Sequence, residues 1–197
     1  MNGYTLHPLM AHAAAEAARI ARGVRAEQLG GPTPCADFDT RTLVNHWVLY
    51  TSHGLERRAR REPLPEDLVA RDFTADLGWA GAYADQLDRA VAAWSDPAVW
   101  EGEVDLGGMT IPAASVAQMV IKELVLHGWD VARATGQQLV VDDELARLVL
   151  GVVEEHAETY RQYGGFATPV PVPATASSLD RALAASGRDP RWGRSAA

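Results

Sequence analysis

The sequence predicts an all-α fold, a four-helix bundle carrying a small β-hairpin and additional C-terminal helices. Two patterns support this. Apolar residues recur at three- and four-residue steps in four long stretches before Gly136, as expected for helices with one buried stripe. The one stretch that alternates apolar and polar residues instead is short and centred on Gly107-Gly108.

The first helix runs from about Leu6 to Val24, with Leu6, Leu9, Met10, Ala13, Ala17, Ile20 and Ala21 inward and Glu16, Arg19 and Arg22 opposite. The loop Gly30–Asp37 ends it. Asp39 is placed to cap a second helix, whose apolar face is Leu43, Val44, Trp47, Val48 and Leu55, and Pro63 and Pro65 close that helix. A third helix is expected from about Ala75 to Trp94, with Leu77, Tyr83, Ala84, Leu87 and Val91 inward. Val99–Ile111 reads as the hairpin, turning at the glycine pair. Pro112 suits the first turn of a fourth helix that continues to Thr135 and stops at Gly136. A fifth follows from about Asp142 to Tyr163. Thr168–Pro173 should be extended, and Ser178 is placed to cap a short helix ending before Gly187.

At 197 residues the chain is expected to form a single domain over 1–197, with 137–197 as a C-terminal extension. A formal charge of −8 argues against nucleic acid or an anionic membrane as partner. No apolar run approaches the ~20 residues that span a bilayer. Cys35 is the only cysteine, so neither an internal disulfide nor a cysteine-based zinc site can form, and a reducing cytoplasm is the expected location.

The most informative local feature is Glu123 and His127. Four residues apart on a helix, they share one face and can grip one ion. His46, in the apolar helical context Leu43-Val-Asn-His46-Trp-Val48, is the candidate third ligand. Two imidazoles and one carboxylate leave coordination positions open, as in catalytic rather than structural sites. Spacing alone also fits a plain Glu–His pair on a helix surface and a core histidine at 46. Asp130, three residues after His127, can accept a proton from a ligand imidazole or stand as a solvated helix charge. His53, two turns from His46, is a candidate pocket wall, and Cys35 reads as a packing thiol rather than a reactive one.

Three segments carry a family resemblance: Thr33-Pro-Cys-Ala-Asp-Phe-Asp39 leading into Leu43-Val-Asn-His46, Glu123-Leu-Val-Leu-His127-Gly-Trp-Asp-Val-Ala-Arg-Ala-Thr-Gly136, and Gly187-Arg-Asp-Pro-Arg-Trp192. Together they resemble the actinobacterial branch of the DinB-like metal-binding proteins, related to the N-terminal domain of mycothiol-dependent maleylpyruvate isomerase. The resemblance implies a DinB-type bundle with a divalent ion on His46, Glu123 and His127, most often zinc, with nickel or iron as alternatives. It also implies mycothiol or a similar thiol as cosubstrate, activated by the metal. Only about sixty residues follow Gly136, fewer than the second domain of the isomerase takes, so maleylpyruvate isomerisation itself is not part of the expectation.

The function expected is therefore a metal-dependent thiol transferase or isomerase. Its partners would be a small-molecule thiol and an electrophile, with self-association as a homodimer left open. A non-catalytic metal-binding or sensing module and a non-heme iron enzyme are the alternatives.

Overall fold

The computed structural model describes residues 3–193, so the first two and last four residues of the expected domain lie outside it. Among the described residues the chain is helical apart from loops and one two-stranded hairpin. Helix α1 (Gly3–Arg22) buries the predicted stripe, with Leu6, Met10, Ile20 and Ala21 fully enclosed. Asp39 caps α2 (Thr40–Val48), its carboxylate accepting from the Thr42 amide. The helix does not simply run on. Leu49–His53 form a π-helical turn, closed by the Gly54 amide donating to the Leu49 carbonyl, before α3 (Gly54–Ala59) resumes the α pitch. Thr51 and Ser52 donate their hydroxyls to the Trp47 and Val48 carbonyls, bonds that compete with the regular ladder here.

A short helix α4 (Glu66–Val69) follows Pro65, an element the sequence analysis did not separate from the loop. Helix α5 (Trp79–Ala93) starts later than expected. Asp72 caps a 3-10 turn at Phe73–Ala75, and the Asp76 carboxylate takes the Gly78 amide. This leaves Leu77 on a turn and 99% exposed instead of inward. The hairpin is also smaller than expected. Strands β1 (Glu103–Asp105) and β2 (Thr110–Pro112) pair antiparallel with Val104 opposite Ile111, while Val99 and Trp100 belong to the preceding 3-10 turn, capped by Asp96.

Helix α6 (Ala113–Ala134) is the centre of the molecule, its middle buried on nearly all sides, and Gly136 takes the positive φ of 73° that ends it. Helices α1, α2–α3, α5 and α6 pack as the four-helix bundle. Helix α7 (Asp143–Gln162), capped by Asp142, leans on α6, and α8 (Ser178–Ala185) packs on α7. The cap of α8 is Ser177 rather than Ser178, its hydroxyl accepting from the Asp180 amide. Between them the proline-rich segment is extended, and the Val170 amide donates to the Ala184 carbonyl. Leu183 is fully buried, whereas Leu179 and Trp192 are only half-buried against the core. No described helix is long and apolar enough to cross a membrane.

Candidate metal centre

Because α2 crosses α6, His46 faces Glu123 and His127. One ligand atom from each of the three lies within 4.8 Å of the others. Two metal–ligand bonds of about 2.1 Å span up to about 4.2 Å, so a small side-chain rotation is enough to bring all three onto one ion. The His46 ring is walled by Phe38 at 5.5 Å, Tyr50 at 4.7 Å and the His127 ring at 5.0 Å, centroid to centroid. Burial, together with the neighbouring His127, pushes the His46 pKa down to about 4. Its ring is therefore neutral, with a lone pair available, at physiological pH.

On α6 the four-residue step sets His127 Nε2 3.0 Å from Glu123 Oε2. Burial disfavours the charged Glu123, but Lys122 and His127 outweigh it and hold the carboxyl well below its ordinary range. Lys122, the only lysine of the chain, is itself fully buried and ion-paired with the other Glu123 oxygen. Its ammonium lies 4.0 Å from the Tyr160 ring centre and 5.4 Å from that of Phe166.

The far side of the His127 ring is equally constrained. Nδ1 donates to Asp130 Oδ2 at 3.0 Å, and Asp130 has no exposed surface. Burial opposes the imidazolium, but the Asp130 and Glu123 carboxylates prevail and raise the His127 pKa above its ordinary value. Each ring nitrogen thus faces a carboxylate, and the pair favours the protonated ring. Of the two readings open for Asp130, the structure realises the buried acceptor, because Arg188 offsets its charge. Arg188 Nε and Nη2 reach Asp130 Oδ1 and Oδ2, both at 2.8 Å, and Nη1 donates to Ser186 Oγ at 3.0 Å.

His53 does not join this group. The π-helical turn between residues 46 and 53 breaks the two-turn alignment that would have kept both rings on one face. His53 instead stacks on Phe73 at 5.3 Å and lines a separate cleft of about 160 Å³ with Arg71, Trp79 and Arg89. Burial pushes the Cys35 thiol up, consistent with an inert side chain.

Sequence reasoning passed over Lys122, Tyr50, Phe38 and Arg188 as site residues. Two signals pointed toward Lys122 and Arg188: a lone lysine in the most apolar helix, and a carboxylate at 130 flanked by apolar Trp129 and Val131, which calls for a cation from elsewhere.

The model of the family described as mycothiol maleylpyruvate isomerase N-terminal domain matches residues 10–132. Two uncharacterized proteins of Mycobacterium tuberculosis are also similar, MT0763 of strain CDC 1551 / Oshkosh and Rv0738 of strain H37Rv. Each is 31% identical over 192 residues, covering 94% of this chain and 100% of its own length. No solved structure matches the chain.

Proposed function

The chain belongs to the mycothiol maleylpyruvate isomerase N-terminal domain family, and on that footing we propose that it holds one divalent ion, most naturally zinc, on His46, Glu123 and His127. It would use the ion to bind a low-molecular-weight thiol, mycothiol being the one the family name points to, and to transfer or rearrange a small electrophile in the cytoplasm. The observation that carries this reading is the convergence of the three ligand atoms from α2 and α6.

An ion held there would supply Lewis acidity at its remaining open positions, enough to keep a coordinated thiol deprotonated at neutral pH. The protein's own groups support this use. Asp130 fixes the His127 ring through Nδ1, so Nε2 points toward Glu123. Lys122 keeps Glu123 ionised, burial keeps His46 neutral, and Phe38 and Tyr50 shield the His46 ring.

Metal analysis tests the first step. Protein from metal-supplemented medium should carry about one ion per chain, and His46→Ala and His127→Ala should each lose most of it. Full occupancy in the double variant would sink the assignment. The cobalt-loaded protein tests the second step. Mycothiol or cysteine should produce a thiolate-to-cobalt charge-transfer band, weakened in Glu123→Gln and unchanged in Cys35→Ser. A spectrum indifferent to thiols rejects thiol transfer. Since two histidines and one carboxylate also make up non-heme iron sites, iron as the dominant metal in that analysis would shift the reading to oxygen chemistry.

A further inference from the structure

We infer that Arg188 is a positioning residue of the metal centre, and that the C-terminal segment carrying it is part of the site. The inference deepens the metal reading above and rests on it. The family match ends at residue 132, yet the buried side chains behind both α6 ligands are met from beyond that point. Behind His127 stands Asp130, gripped by the Nε–Nη2 edge of the Arg188 guanidinium with both bonds at 2.8 Å. Behind Glu123 stands Lys122, whose ammonium is enclosed by Tyr160 of α7 and by Phe166 just after it.

The Arg188–Asp130 contact is built rather than incidental. Arg188 is 7% exposed and Asp130 not at all, and their bidentate geometry allows one orientation of the carboxylate. With Asp130 so fixed, Oδ2 accepts from His127 Nδ1 along one direction, which in turn sets where Nε2 points. Arg188 is itself held on the tail. Its amide donates to the Leu183 carbonyl, its Nη1 to Ser186, and the Ser186 hydroxyl donates back to Leu183. Further on, the Trp192 carbonyl accepts from the Arg133 guanidinium of α6 at 2.9 Å. The tail therefore binds α6 at two points one turn apart, Asp130 and Arg133.

The test measures two quantities on the same full-length variants. One is cobalt affinity, by competition with a chromophoric chelator. The other is the Nδ1–H resonance of the His127 imidazole in metal-free protein, by proton–nitrogen NMR. Arg188→Lys keeps a positive charge beside Asp130 but loses the fork, so it should stay folded, bind cobalt about tenfold more weakly and broaden the Nδ1–H resonance. Arg188→Ala, where it folds, should lose up to about a hundredfold. Leu145→Ala, a core truncation in α7, serves as the control. It should lower the melting temperature while leaving cobalt affinity within twofold, separating position from mere stability.

Wild-type affinity in Arg188→Lys, with His46→Ala still abolishing binding, overturns the positioning role and leaves the metal reading standing. If the wild-type protein binds no metal, the metal reading falls, and the resonance alone then decides. Its broadening or loss in Arg188→Lys upholds the Arg188–Asp130–His127 coupling, and an unchanged resonance overturns it.

Discussion

The residue that would decide how this site meets the proposed metal is His127, because each of its nitrogens already serves a carboxylate. Well above pH 6.5, His46 and His53 are neutral in the folded chain, where their pKa values are lowered, and in the unfolded chain too, so the sign of the local pH dependence rests on His127. Its folded pKa lies above its ordinary value. The stability it contributes is therefore fully present below pH 6.5 and is lost as pH rises through the folded pKa. Metal binding runs the other way. An ion can take Nε2 only when the proton shared with Glu123 leaves, so affinity should rise with pH over the same window. We expect calorimetry in buffers of different ionisation enthalpy to report more than about half a proton released per ion bound at pH 6.5. Cobalt affinity that stays flat between pH 6 and 8 would contradict the raised His127 pKa. Asp130 and Glu123 act at the acid end. Both are held below their ordinary values, so their contribution stays intact above about pH 4.5 and disappears as the solution is acidified further.

At the scale of elements, the parts that carry the site are fastened by local devices of different strength. Asp39 caps the helix that presents His46, and Asp39→Ala should cost about 1 kcal/mol in urea unfolding with little effect on metal affinity, because His46 lies two turns further in. Gly187 is less forgiving. It takes a φ of 87°, and a Cβ there would stand 2.8 Å from the Ala167 backbone and 2.6 Å from its Cβ. Gly187→Ala should therefore cost more than the roughly 1–2 kcal/mol of a left-handed L-residue, and it should weaken cobalt binding as well, since the next residue is Arg188. Wild-type stability in that variant would show the tail to be loosely seated. Helices α1, α2, α6 and α7 were legible because their apolar stripes hold one phase for several turns, and Glu123 and His127 were legible because both lie inside one such stripe. Leu77 was misread because its spacing fits the stripe of α5, while the Asp72 and Asp76 side chains redirect the backbone before the helix begins. His53 was misread because a π-helical turn shifts phase without any change of residue type. Arg188 was out of reach for another reason: its partner is 58 positions away, and no local spacing encodes that pairing.

For the molecule as a whole, the bundle and the tail share both a core and a charge pair, so they should unfold together. Leu183 and Ala182 of α8 are fully buried and continuous with the core formed by α1, α5 and α6. Removing everything after Ala167 would expose the α7 surface they cover and would leave Asp130 enclosed beside His127 without its guanidinium. Stranding one partner of a buried pair costs about 3–5 kcal/mol before any lost apolar contact is counted. The full chain should therefore unfold in urea in a single transition seen alike by helix ellipticity and by tryptophan fluorescence, as expected of one cooperative domain. Arg188→Ala alone should recover a large part of the loss seen on truncation. Limited proteolysis gives an independent reading: the extended Thr168–Pro173 segment should resist cleavage in the native protein because it is tied to α8 through Val170 and Ala184. Rapid clipping there, with an unchanged melting temperature, would mean that the tail is an appendage and that Asp130 finds its counter-charge elsewhere.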